Sequence, residues 1–207
     1  MEEKTLEKNI EEINEEKYNN ILKIDNSGIM GYLRIEKINV NLPIYHGTQE
    51  TTLKNGIGHL AGSSMPSASK NSHIVLAGHT GLSSAQLLSN LDKLQNEDDF
   101  EINVLNYTYK YKVNQIKKVL PDKLDDLNIE ENKQYATLVT CTPYGINSHR
   151  LLVRGELYDI VSISEDIQIE ENSEILLKEK KLNIAIIIIC SVIVLAIGII
   201  MYVIKIK

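Results

Sequence analysis

Residues 135–155 read Tyr135-Ala-Thr-Leu-Val-Thr-Cys-Thr-Pro-Tyr-Gly-Ile-Asn-Ser-His-Arg-Leu-Leu-Val-Arg-Gly155, two β-type runs separated by a turn. The first run ends at Cys141, where a Thr-Pro-Tyr-Gly turn begins. The loop through His149 is long enough for the second run, which starts at Arg150, to return antiparallel beside the first. We therefore predict two neighbouring strands that hold Cys141 and Arg150 close together at one end.

The chain between residues 29 and 163 carries further short runs of the same kind. One helix is predicted at residues 83–94, with Leu87, Leu91 and Leu94 on its buried face. Seven or eight short strands beside a single convincing helix indicate a mainly β domain, either a barrel or a sandwich and mostly antiparallel. The predicted strands include residues 29–35, 40–44, 73–77, 136–140 and 150–157, with further strand in 100–120.

Composition narrows the class of protein. The 207 residues are 43% hydrophobic and 24% charged, which excludes wholesale disorder and collagen-like repeats. The formal net charge of -6 has the wrong sign for a protein that binds a polyphosphate backbone, so no nucleic-acid partner is expected. Of the two cysteines, Cys190 lies inside a continuous apolar run, which rules out a structural disulfide framework with Cys141.

Both ends of the chain are predicted to lie outside the β domain. Residues 183–204 are apolar and uncharged over the length that crosses a bilayer, and we interpret them as a transmembrane helix. The polar residues 164–182 are interpreted as a stalk and residues 205–207 as a basic tail. Lysines flank the span on both sides; we favour a single-pass protein of the cell membrane with its β domain outside the cytoplasm. Residues 1–28 are predicted to form an N-terminal helical, lid-like appendage.

Three side chains are candidates for covalent chemistry. Cys141 lies at a strand end, where rigid scaffolds present reactive groups, although a buried, inert cysteine is the common alternative. A nucleophilic thiol needs a basic neighbour, because a free cysteine is only a few per cent thiolate at neutral pH. His79 closes the run of residues 73–78 between two glycines, and Arg150 is predicted beside the sulfur. From position alone, Arg150 fits a surface salt bridge as well as an oxyanion-binding role.

The motifs resemble a known family. Thr137-Leu-Val-Thr-Cys141 resembles the Thr-Leu-x-Thr-Cys signature of sortases, the membrane-anchored cysteine transpeptidases of Gram-positive bacteria. The resemblance covers about residues 18–160 and the C-terminal span, and it departs from the usual pattern at Thr80, where a basic residue is common. Four blocks are similar to the class C, pilin-polymerising branch: residues 141–155, Ile29-Met-Gly-Tyr-Leu33, Gly58-His-Leu-Ala-Gly-Ser-Ser-Met-Pro66 and Ala77-Gly-His-Thr-Gly81.

The resemblance implies an eight-stranded β-barrel with a Cys-His-Arg triad, onto which Cys141, His79 and Arg150 map. It implies cleavage of a Leu-Pro-x-Thr-Gly-type sorting signal between Thr and Gly through a thioester, followed by transfer to an amine. The expected partners are exported proteins with C-terminal sorting signals, such as pilin subunits joined through a lysine. No metal or organic cofactor is expected.

Two other functions stay open from the sequence. One is a sortase that attaches surface proteins to peptidoglycan, which differs only in the acceptor amine. The other is a membrane-tethered pilus or surface module without catalysis. A zinc site of His59, His73 and His79 is disfavoured, because spacings of 14 and 6 residues lack the short pairs of recognised sites.

Overall fold

A computed structural model describes residues 15–23, 26–80, 87–123 and 125–162. All of them belong to the first of the two units into which the chain divides, Met1–Ser162. The predicted stalk, transmembrane helix and basic tail lie outside the described residues, as do the first fourteen residues of the predicted appendage. None of the helices within the described ranges is long and apolar enough to span a bilayer.

The described residues form eight strands with short helical segments between them. The helical segments are an α-helix at Glu50–Asn55 and 3-10 helices at Glu36–Ile38, Leu91–Lys93 and Asp125–Leu127. The strands are β1 (Ile29–Ile35), β2 (Val40–His46), β3 (Ile57–His59), β4 (Ser72–Ala77), β5 (Asp99–Val104), β6 (Tyr107–Val119), β7 (Gln134–Thr142) and β8 (His149–Ser162).

The strands close into a barrel in the order β1-β2-β3-β4-β7-β8-β6-β5, with β5 pairing back onto β1. The prediction of a mainly β, eight-stranded barrel is confirmed, and closure excludes the sandwich. Two neighbouring pairs, β2–β3 and β4–β7, are parallel, and the others are antiparallel. A parallel pair brings the carboxyl ends of both strands to the same edge of the sheet.

Alternate side chains of the strands fill the barrel, as the period of two requires. In β5, for example, Phe100, Ile102 and Val104 are buried while the residues between them are more exposed. β4 and β7 differ, because Ser72–Leu76 and Tyr135–Leu138 are buried without interruption. These two strands are therefore covered on both faces, which explains why buried residues follow one another in them instead of alternating with exposed ones.

The predicted helix at residues 83–94 is wrong over its described part. Residues 87–90 form a turn, and only Leu91–Lys93 is helical, as a single 3-10 turn. Leu87 has a φ of 27°, which no α-helix contains, and the Leu88 N–H donates to the His79 carbonyl oxygen at 3.1 Å. Leu87, Leu91 and Leu94 are nevertheless buried, so the leucine spacing correctly identified core residues.

The N-terminal segment, residues 15–23, is bonded to the ends of β2 and β3. Residues 15–20 are helical, and the Tyr18 hydroxyl accepts from the Gly47 N–H and donates to the His59 carbonyl oxygen, each at 2.9 Å. The His46 ring donates from Nε2 to the Ile21 carbonyl oxygen at 2.7 Å. These contacts fix the loop that leads from β2 into the helix Glu50–Asn55.

Candidate active site

Cys141 and Arg150 lie directly opposite each other on β7 and β8, in the antiparallel register predicted for these runs. Side chains of opposed residues in an antiparallel pair project from the same face of the sheet, with their Cβ atoms about 5 Å apart. Cys141 is a free cysteine of intermediate exposure. The connecting turn is closed by the Ile146 and Asn147 N–H groups, which donate to the Pro143 carbonyl oxygen at 3.1 and 2.9 Å.

His79 reaches the same edge through the parallel pairing of β4 with β7. The register pairs Ala77 with Val139, and the Gly78 N–H donates to the Val139 carbonyl oxygen at 3.0 Å. His79 follows Ala77 by two residues, just as Cys141 follows Val139 by two. His79 and Cys141 are therefore level with each other at the same carboxyl edge, although β7 continues to Thr142.

Two threonines fasten the histidine segment to β7. The buried Thr140 hydroxyl donates to the Gly78 carbonyl oxygen at 2.7 Å, and it accepts in turn from the Thr80 hydroxyl. Thr140 directly precedes Cys141, and Thr80 directly follows His79. In the sequence, Thr80 stands out only as a departure from the family pattern, and this bond was missed because a hydroxyl pair 60 residues apart leaves no local signal.

Gly78 allows the close approach on which this arrangement depends. A Cβ at this position would lie 2.8 Å from the Ile57 Cδ1 atom and 2.8 Å from the Leu88 Cδ1 atom. Real Cβ atoms do not approach other carbons so closely, so a larger residue would require the buried Ile57 and Leu88 side chains to move. A glycine immediately before His79 therefore avoids repacking of these two side chains.

His79 has one buried nitrogen that faces a carboxylate. Its side chain is 24% exposed, but Nε2 is buried and forms no hydrogen bond within the described residues. The Glu50 Oε2 atom lies 3.4 Å from Nε2, within ion-pair distance but without the alignment of a hydrogen bond. Glu50 was not among the residues that the sequence singled out, since it precedes His79 by 29 positions on a different element.

The two arginines of β8 have different environments. Arg154 Nη1 lies 3.0 Å from Glu130 Oε1, and its guanidinium carbon lies 4.1 Å from the centre of the Tyr135 ring. Arg150 donates from Nη1 to the carbonyl oxygens of Asn147 and His149, at 3.3 and 3.2 Å. No carboxylate of the described residues pairs with Arg150, so the described part of the chain provides no partner for the surface salt bridge considered above.

The other two histidines of the disfavoured zinc set have separate partners. His73 Nδ1 donates to the Asn128 carbonyl oxygen at 2.8 Å, and Nε2 accepts from the Thr137 hydroxyl at 2.7 Å. His59 Nε2 donates to the Ser64 carbonyl oxygen at 3.0 Å. Burial lowers the pKa of both rings below the ordinary value of 6.5, so both are neutral at pH 7. In the described ranges no three potential metal ligands form a group.

The edge of the barrel at β4, β7 and β8 thus presents a thiol, an imidazole and a guanidinium. A thiol with a neighbouring imidazole can act as a nucleophile, and a guanidinium can bind a carbonyl oxygen or an oxyanion. This combination on a closed barrel defines the class of protein. Residues 33–158 match the family described as "Sortase domain", and the chain belongs to this family.

Solved structures of class C sortases are similar to the chain. The structure of sortase C1 from Streptococcus agalactiae is 54% identical in sequence to this chain. The match covers 69% of this chain and 74% of the sortase C1 chain, with a TM-score of 0.67. The structure of sortase C-1 from Actinomyces oris is 46% identical in sequence. The match covers 70% of this chain and 78% of the sortase C-1 chain, also with a TM-score of 0.67. The family that the motifs indicated is confirmed.

Curated relatives are more distant. Sortase D of Bacillus subtilis (strain 168) is 30% identical over 114 residues, which are 55% of this chain and 54% of the relative. Sortase A of Streptococcus agalactiae serotype III (strain NEM316) is 30% identical over 139 residues, 65% of this chain and 55% of the relative. The chain spans about half the length of these curated relatives.

Proposed function

We propose that this sortase-family chain is a cysteine transpeptidase in which Cys141 is the nucleophile, His79 the general acid and base, and Arg150 the ligand of the substrate carbonyl oxygen. One observation carries the proposal. Cys141 and Arg150 are register partners across β7 and β8, and the pairing of Ala77 with Val139 brings His79 level with Cys141, each two residues further along. Each of the three groups that acyl transfer to a thiol requires is therefore held by backbone pairing at one edge of the barrel.

In the first half-reaction, the thiolate of Cys141 attacks the carbonyl carbon of the substrate threonine and a C–S bond forms. The negative charge that develops on the carbonyl oxygen is stabilised by the Arg150 guanidinium. The threonine–glycine C–N bond then breaks, and the protonated His79 ring gives its proton to the departing glycine amine. The products are a thioester on Cys141, a free amine and a neutral imidazole.

In the second half-reaction, an acceptor amine attacks the thioester carbon. The neutral His79 ring takes a proton from the attacking nitrogen, the new amide bond forms, and the C–S bond breaks to restore the thiolate. The cycle consumes one peptide bond and makes one amide bond, with no net change of protons. The chemistry uses only groups of the chain and its substrates.

We propose a sorting signal of the Leu-Pro-x-Thr-Gly type as the acyl donor and a lysine of a pilin subunit as the acceptor. This choice is supported by the class C structures to which the chain is similar. One of them, sortase C from Streptococcus pneumoniae, is described as providing insights into pilin substrate specificity, and another is described as a pilus-related sortase C of group B Streptococcus. Pilus assembly therefore ranks above attachment to peptidoglycan.

We further propose that the enzyme is anchored in the cell membrane by residues 183–204, with the barrel outside the cytoplasm. The apolar, uncharged sequence of these residues supports the span. A membrane-impermeant maleimide should then label Cys141 in intact cells. Labelling that appears only after lysis would contradict this location.

The reaction is tested with the full chain in detergent, a sorting-signal peptide, and either a pilin-lysine peptide or a wall-type amine. Intact mass spectrometry should detect a thioester that is absent from Cys141→Ala, and the pilin-lysine product should form faster than the wall-type product. A faster wall-type product would overturn pilus assembly. If neither a thioester nor a product forms, the chain is a non-catalytic module.

A further inference from the structure

Glu50 is the first residue of the helix Glu50–Asn55, and the loop before it is held in place from several sides. The Gly47 N–H donates to the Tyr18 hydroxyl, and the Thr52 hydroxyl donates to the His46 carbonyl oxygen at 3.4 Å. A Cβ at Gly58 would lie 2.3 Å from the Gly47 carbonyl oxygen, so β3 packs directly against this loop. The backbone of Glu50 is therefore fixed relative to β2 and β3.

The two carboxylate oxygens of Glu50 face two different basic groups. Oε1 lies 3.5 Å from the Lys54 Nζ atom, one helical turn away, and Oε2 lies 3.4 Å from the His79 Nε2 atom. Glu50 itself is largely exposed, with 64% of its side chain accessible, whereas the nitrogen it faces is buried. A small rotation of the ring or the carboxylate would turn this contact into a hydrogen bond, and a buried nitrogen has no water to satisfy it.

We infer that Glu50 is a positioning residue for His79, an inference that rests on the proposed function. When the Glu50 carboxylate accepts the proton of Nε2, the tautomer of the ring is set and Nδ1 is left to exchange a proton with the sulfur or the departing amine. The same carboxylate stabilises the protonated ring and therefore favours the thiolate–imidazolium form of the pair over the neutral form.

The neighbouring titratable groups do not mask the effect of Glu50 on the thiolate–imidazolium pair. Lys54 faces Glu50 from the same helix, and Cys141 and Arg150 share the barrel edge with His79. The titratable groups of the strands packed against the helix are Tyr45 of β2 and two histidines, His46 of β2 and His59 of β3. Burial lowers the pKa of both histidines below 6.5, so they stay neutral in an assay above that pH.

The size of the effect follows from the exposure of the pair. Ion pairs between partly exposed groups change a population by about two- to fivefold. Glu50→Gln, which keeps the shape and removes the charge, should therefore slow the alkylation of Cys141 by about two- to fivefold at pH 7. A carboxylate that acted directly on the sulfur would have the opposite sign, because its removal would favour the thiolate and speed alkylation.

The experiment measures iodoacetamide alkylation of Cys141 in the full chain in detergent, between pH 6.5 and 9. Glu50→Asp should recover part of the rate. Glu36→Gln is the control, because it also removes an exposed carboxylate, 89% accessible against 64% for Glu50, whose ion-pair partner is Arg34. Alkylation of Glu50→Gln at the wild-type rate or faster would overturn the inference, as would an equal loss in Glu36→Gln.

A double substitution separates this inference from the proposed function. His79→Gln alone should slow alkylation, and Glu50→Gln should then add no further change, because its effect passes through the ring. If His79→Gln has no effect, the proposed Cys141–His79 pair is wrong. If His79→Gln slows alkylation while Glu50→Gln does not, the pair stands and only the role of Glu50 is wrong. Neither result requires a peptide substrate.

Discussion

Thr140→Val removes the hydroxyl that joins the histidine segment to β7 while keeping the shape of the side chain. Thr140 is 4% exposed, and its hydroxyl donates to the carbonyl oxygen of the buried Gly78 at 2.7 Å. Leaving a buried acceptor unpaired costs about 1–3 kcal/mol of unfolding free energy. The Thr80 hydroxyl loses its acceptor too, but it is partly exposed and can bond to water.

The expected loss lowers Tm by roughly 2–4 °C per kcal/mol for a chain of this size. It is measured by thermal unfolding of the full chain in detergent, followed by near-UV circular dichroism. Thioester formation should slow by up to about a hundredfold, because His79 is no longer held at its distance from Cys141. Rapid quenching and intact mass spectrometry measure this rate.

Thr137→Val is the matched control. Thr137 is also a buried β7 threonine, and its hydroxyl donates to the His73 Nε2 atom at 2.7 Å, away from the thiol. It should lose similar stability and keep its acylation rate. An unchanged Tm for Thr140→Val would refute the assigned hydrogen bond. If Thr140→Val lowers Tm but acylates at the same rate as Thr137→Val, the Thr140 hydroxyl does not position His79.

Three further outcomes are expected. Arg150→Gln should reduce the rate of thioester formation by about a hundred- to a thousandfold with little change in Tm, since within the described residues its side chain bonds only to the carbonyl oxygens of Asn147 and His149. A rate within tenfold of wild type would contradict its role. Gly155→Ala should destabilise the barrel by about 1–3 kcal/mol in urea unfolding, because its Cβ would lie 2.6 Å from the Phe100 Cε1 atom; wild-type stability would contradict this packing. Stability should fall as the pH is lowered through about 6.5, because burial lowers the pKa of His59 and His73 in the folded state and the unfolded chain therefore takes up protons first. His73→Gln should flatten the dependence of the unfolding free energy on pH between pH 7.5 and 5. An unchanged slope would contradict a lowered pKa of His73 in the folded state.

The strands that could be predicted from the sequence are those with a regular pattern or a continuous apolar run. β1, β4 and β7 were each found within two residues of their bounds. β3 was missed because three residues, Ile57–His59, are too few to show a period and one of them is a glycine. The helix predicted at residues 83–94 follows a real spacing of leucines, but that spacing reports burial and not backbone conformation.

The site shows the same division between local and distant information. Cys141 and Arg150 are separated by one turn, so their antiparallel pairing could be predicted from the loop between them. The alignment of His79 with Cys141 depends on a parallel pairing between strands about 60 residues apart, which leaves no pattern in either strand. Glu50 could not be found at all, because its contact with His79 arises from packing between two segments with no shared period.

The parallel pair of β4 and β7 has a consequence for how such a protein can diversify. Since the backbone of adjacent strands sets the separation of sulfur and imidazole, the segments that follow each strand do not have to set it. Changes of sequence between residues 143 and 148 can therefore reshape the surface beside the thiol without changing the register that sets this separation. Under the proposed function, such remodelling would change which donor peptides and acceptor amines bind, on an unchanged chemical core.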